Sequence, residues 1–116
     1  MTDQELLTLA AKAAGIEIEW NVMINRNSPI FVPKTQQERN WLGHEHTPWN
    51  PLTDDGDALR LVVKCNLNVC VGYGSVSACL QDDGSFHRVE EIKDDPYAAT
   101  RRTIVHAAAE IGRNME

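Results

Sequence analysis

The stretch Trp49-Asn50-Pro51-Leu52-Thr53-Asp54-Asp55-Gly56-Asp57-Ala58-Leu59-Arg60-Leu61 constrains the fold more than any other part of the chain. An irregular segment ends there and a helix begins. Pro51 has no backbone donor and drives Asn50 toward an extended conformation. Thr53 or Asp54 is placed to cap the helix that follows. Asp54 with Asp57 three residues on resembles a capping box built with a shorter acid. Asp54, Asp55 and Asp57 put negative charge where a helix N-terminus favours it. Ala58, Leu59, Leu61, Val62 and Val63 then give the helix a wide apolar face. It is expected to run from Asp54 or Asp55 to Lys64, with Asn66 stopping it in a left-handed conformation.

Before this junction, Thr2 and Glu5 form a capping box, and Leu6, Leu7, Leu9, Ala10, Ala13 and Ala14 recur at helical spacing. Gly15 closes a first helix over about residues 3–14. Ile16, Ile18, Trp20, Val22 and Ile24 then alternate with polar residues, which predicts a strand with one buried face. Residues 25–52 read as a long irregular loop. Within it, Ile30-Phe31-Val32 fits a short edge strand between prolines, and Thr35 to Leu42 a helical turn.

After the junction, Leu67, Val69, Val71 and Tyr73 alternate, as do Val76, Ala78 and Leu80, with Gly72 and Gly74 in the link. Asp83-Gly84 is a hairpin signal leading to a strand over Phe86 to Ile92. Asp95 caps the last helix, Pro96 opens it and Gly112 is expected to end it. Tyr97, Arg101, Ile104, Val105, Ala108 and Ile111 define one face of that helix, and Arg101, Arg102 and Arg113 are its exposed or rim charges. The fold class expected is α+β in one domain spanning residues 1–116. A mainly antiparallel four-stranded sheet would pack with three helices.

A formal charge of -6 argues against a surface for duplex nucleic acid, which needs clustered Lys and Arg. It leaves open a protein partner with a basic face. The opening Met1-Thr2-Asp3-Gln4-Glu5 lacks the pattern of a signal peptide, and no apolar run reaches membrane-spanning length. Three cysteines in such a chain are expected to be reduced thiols in a cytoplasm.

No catalytic constellation emerges. His44 and His46 would share a face on a strand, but no third ligand stands at a standard spacing, so no metal is expected. Cys65, Cys70 and Cys79 follow no zinc spacing and read as small buried apolar residues, with Cys70 facing Cys79 across the hairpin. The aspartates of the junction are explained by capping. No cofactor is expected. The aromatic-bearing loop is the more informative feature: Trp41, His44, Glu45, His46 and Trp49 form the candidate partner-binding surface, since exposed aromatics are enriched at interfaces. The bland reading of its tryptophans is that they pin the loop to the core. An alternative ligand pocket would be lined by Arg60, Lys64, Arg101 and Arg102.

The run WNPLTDDGDALRLVVK, followed by a hairpin and then DDPYAATRRTIVHAAAEIGR, resembles the phage ABA-sandwich family of small proteins from tailed phages and prophages. The resemblance covers mainly residues 49–113, and the opening helix and strand also fit. It implies a sheet layered between helices, an α/β/α sandwich, whereas the residues themselves suggest two layers. It also implies a phage product in bacterial cytoplasm with no agreed enzymatic activity. By analogy with small acidic phage proteins, the expected role is binding a host bacterial protein, such as a component of an antiviral defence system. The alternatives are a module that sequesters a nucleotide signal and a purely structural phage protein.

Overall fold

The computed structural model describes residues 2–16, 18–20, 29–31, 47–72, 74–80, 88–92 and 94–115. Helix α1 spans Asp3–Ala14. The Thr2 hydroxyl accepts the Glu5 N–H at 3.1 Å, and the Glu5 carboxylate accepts the Thr2 N–H at 3.3 Å, so the capping box forms in both directions. Gly15 closes the helix at a φ of 71°, in the left-handed region. Strands β1 (Ile18–Trp20), β2 (Pro29–Phe31) and β3 (Thr47–Pro48) follow. Helix α2 spans Asp55–Cys65 and ends at Asn66, whose φ of 56° is the left-handed stop expected. Strands β4 (Leu67–Val71), β5 (Ser75–Leu80) and β6 (Arg88–Glu91) lead to helix α3, Pro96–Arg113.

The class is α+β, but the four-stranded sheet is not what forms. The strands make two separate three-stranded antiparallel sheets, β1-β2-β3 and β4-β5-β6. Alternation identifies a strand without identifying its partners. Ile18 pairs with Phe31, and Phe31 pairs with Thr47. The first strand is therefore completed by short pieces of the segment expected to be loop. β2 was expected at an edge and is the central strand. Pro29 stands at its first position, where a missing donor is tolerated.

α2 and α3 pack on one face of the second sheet. Leu67, Val76 and Ala78 point to that side and are buried, while Asn68, Cys70 and Ser75 alternate to the other side and are exposed. Among the described residues no helix covers that second face. With helices on one face of that sheet only among the described residues, the α/β/α sandwich is overturned with the single sheet. α3 lies over β5 and β6, and α2 lies over β4. The helical turn expected at 35–42 and the hairpin turn at Asp83-Gly84 lie outside the described residues, although β5 and β6 do pair antiparallel.

α1 makes its most extensive contact with α3. Asp3 meets Arg102 at 3.8 Å and the Lys12 ammonium donates to the Met115 carbonyl at 3.1 Å, so the two helices run parallel. Leu6, Leu7, Ala10 and Ala11 of α1 bury against Ile104, Val105, Ala107 and Ala108 of α3. Gly112 does not end α3 as expected. It lies within the helix, buried, and Asn114 caps the end. The backbones approach so closely there that a methyl group on Gly112 would overlap the Leu9 carbonyl. The glycine is required by the crossing, not by a turn.

Gly112→Ala is therefore expected to destabilise by about 1–3 kcal/mol or more, the cost of overpacking. That outcome runs against helix propensity, which favours alanine by about 1 kcal/mol. Urea unfolding of the variant measures it, and an unchanged or raised midpoint would refute the close crossing.

Candidate functional site

The junction before α2 is built from a few polar contacts over a buried floor. Trp49 is 3% exposed and belongs to the core with Leu6, Leu61 and Val105, and Pro51 is fully buried. The Asn50 carbonyl accepts the N–H groups of Thr53 at 3.1 Å and Asp54 at 2.9 Å. The Asn50 side-chain oxygen accepts the Leu52 N–H at 3.0 Å, which fixes the turn. Asp54 then caps α2 by accepting the Asp57 N–H at 2.8 Å.

The other half of the expected capping box is absent, and its acid is used differently. The Asp57 carboxylate reaches past the cap and accepts the Asn50 N–H at 3.0 Å. Its second oxygen accepts from the Arg60 guanidinium at 3.2 Å. Asp57 is buried, so it braces the turn from inside the protein. Burial pushes its carboxyl above the ordinary value, with Asp54 adding to the rise, while the Asn50 N–H and Arg60 oppose it.

Arg101 fastens this junction to α3. Its Nε donates to the Leu52 carbonyl at 2.9 Å and its Nη1 donates to the Asp55 carboxylate at 2.6 Å. One turn earlier on the same face of α3 stands Tyr97, 70% exposed. Asp95 caps α3 by accepting the N–H groups of Tyr97 at 2.9 Å and Ala98 at 3.2 Å. The six residue steps from Asp95 to Arg101 span roughly 9 Å along the helix axis. Exposed Asp54 and Asp55 at the start of α2 and exposed Asp94 and Asp95 at the start of α3 therefore lie at the same end of the molecule as the tyrosine.

The candidate residues from the sequence divide clearly. Trp49 is buried, and it belongs to the core directly after β3. Trp41, His44, Glu45 and His46 lie outside the described residues. Among the described residues, three of the four candidate pocket cations, Arg60, Arg101 and Arg102, each meet a carboxylate. Arg60 holds Asp57, Arg101 holds Asp55 and Arg102 meets Asp3, while Lys64 stands exposed in the last turn of α2. Cys65 is buried, and burial raises its thiol pKa to about 11. Cys70 is exposed rather than buried, and it stands opposite Ser77, not Cys79. Among the described residues no three His, Cys, Asp or Glu side chains gather as a metal site, and no helix is long and apolar enough to cross a membrane.

Sequence reasoning also misjudged three apolar residues. Tyr97 was counted on one helix face with Ile104 and Val105, yet it is exposed while they are buried. Leu59 and Val63 were counted into the buried face of α2 and are 63% and 73% exposed. The buried positions Ala58, Leu61 and Cys65 recur at intervals of three and four. Leu59 and Val63 form a second stripe on the opposite side, which strict helical phasing would have separated.

Asp57→Ala is expected to cost about 1–3 kcal/mol, since it strands the Asn50 N–H. Asp57→Asn keeps an acceptor and is expected to cost less. A carboxyl whose folded pKa is raised stabilises the fold below the unfolded value, about 3.9, and that contribution is lost as pH rises through the folded value. Thermal melts from about pH 3.5 to 7 should therefore drift in favour of Asp57→Asn relative to wild type as pH rises. The opposite drift would show that Arg60 and Asn50 outweigh burial. No protein-family model, curated protein or solved structure matches this chain.

Proposed function

We propose that this chain acts by binding another protein, not by catalysis, through the end of the molecule where α2 and α3 begin. The observation that carries this reading is the Arg101 clamp, which holds the acidic start of α2 against α3 one turn after the exposed Tyr97. A tyrosine on a rigid helix presents a large contact at small entropic cost, and aromatics are enriched among the residues that dominate interface energies. The carboxylates and the net charge of -6 favour a partner with a basic face and speed its encounter. The resemblance of residues 49–113 to phage ABA-sandwich proteins supports a host bacterial protein as that partner, met in the bacterial cytoplasm. A component of an antiviral system is the target class this reading favours. Sequestration of a nucleotide has less support, since Arg60, Arg101 and Arg102 are each engaged with a carboxylate.

Purification of the tagged protein from infected bacteria identifies the partner, and a titration then tests the surface. Tyr97→Ala is expected to weaken binding by about 2 kcal/mol, roughly 30-fold, with little change in Tm because the side chain is exposed. Added salt should weaken the wild-type complex. Undiminished affinity in Tyr97→Ala, or affinity indifferent to salt, would remove this end of the molecule as the contact.

A further inference from the structure

The second sheet has two unlike edges. The sequence of β6 is Arg88-Val89-Glu90-Glu91, the charged composition by which natural sheets discourage edge pairing. β4 reads Leu67-Asn68-Val69-Cys70-Val71, with no charge and no proline, and among the described residues it pairs with β5 alone. The Gly72 N–H donates to the Ser75 carbonyl at 2.9 Å, which makes Gly72 and Ser75 a hydrogen-bonded pair. Pairs alternate along an antiparallel ladder, so the backbone groups of Cys70 and Asn68 also point to β5. Those of Leu67, Val69 and Val71 point outward, to the edge that pairs with no other strand among the described residues.

We propose that this edge pairs with the β4 edge of a second copy of the chain, giving a homodimer with one continuous six-stranded sheet. An antiparallel register centred on Val69 sets Leu67 opposite the other copy's Val71, and Val69 opposite Val69. All three positions carry outward backbone groups, so the register is self-complementary and forms about six main-chain hydrogen bonds. The two-fold axis stands normal to the sheet and keeps both helical layers on one side. α2 is the helix over β4, with α3 on its inner side over β5 and β6. Its exposed stripe of Leu59 and Val63 therefore faces the same edge, as does Val71, 57% exposed. The axis brings the two α2 helices together antiparallel and covers these residues. The acidic first turn of one α2 then lies toward the exposed Lys64 of the other, which is a complementary arrangement of charge. The first turn of α2 borders the end bearing Tyr97, but the dimer is read from association of the chain with itself, so it is tested independently of the proposed partner contact.

Sedimentation velocity and a register-specific cross-link test the proposal together. Wild type is expected to sediment as a dimer of the 13.0 kDa chain at tens of micromolar. Val63→Glu should sediment as a folded monomer with an unchanged circular dichroism spectrum. In the register proposed, Asn68 stands directly opposite the other copy's Cys70 in a non-hydrogen-bonded pair, where two cysteines fall within bridging distance. Asn68 also stands opposite Cys79 of its own chain, so that thiol is removed. Asn68→Cys combined with Cys79→Ser should yield a covalent dimer on mild oxidation, and adding Cys70→Ser should abolish it. A wild-type monomer at 100 µM would overturn the proposal. So would a dimer that survives Val63→Glu, or one that gives no cross-link in the double variant.

Discussion

Arg101 holds together two parts of the chain that local structure alone would leave apart. The turn at Asn50 and the cap at Asp54 give α2 its starting point, but not its position on the body of the protein. The guanidinium supplies that position by donating to the Leu52 carbonyl and to Asp55. The two bonds differ in weight. Asp55 is largely exposed, and an exposed ion pair contributes about 0–1 kcal/mol. The bond from a mostly buried guanidinium to a carbonyl belongs to the stronger class, about 1.5–3 kcal/mol. Arg101 thus acts chiefly on the backbone of the turn, and Asp57 braces the same turn from below through the Asn50 N–H.

The consequences pass to both surfaces. With its start fixed, α2 covers β4 and turns Ala58, Leu61 and Cys65 into the core. Its opposite stripe of Leu59 and Val63 is left bare. On the other side of the clamp, Tyr97 and the capping aspartates stand at the mouth of α3. The remainder of the body is held by a different device, the close parallel crossing of α1 and α3 at Leu9 and Gly112. Small residues along that crossing let the backbones approach, and packing there is tight enough to serve as a rigid base.

Local signals in the sequence were reliable wherever one residue decides a backbone state. Thr2 with Glu5, Asp54, Asn66 and Asp95 all cap as their chemistry requires. Non-local facts were not legible. The partners of the first strand lay in a segment whose prolines suggested loop, so the division into two sheets was missed. Gly112 matched the signature of a helix end, and only the proximity of Leu9 reveals its role. Trp49 followed a long irregular stretch and suggested an exposed loop, but the adjacent Pro51 and β3 carry it into the core. The surface around Tyr97 depends on a contact between residues 52, 55 and 101, and no pattern in the sequence announces that contact.

Amide hydrogen exchange of Arg101→Leu tests most directly whether the clamp organises this end of the molecule. Residues 50–58 should lose protection, while the buried middles of α1 and α3 keep theirs. Unchanged protection across residues 50–58 would contradict the account, and would assign the placement of α2 to its apolar face alone.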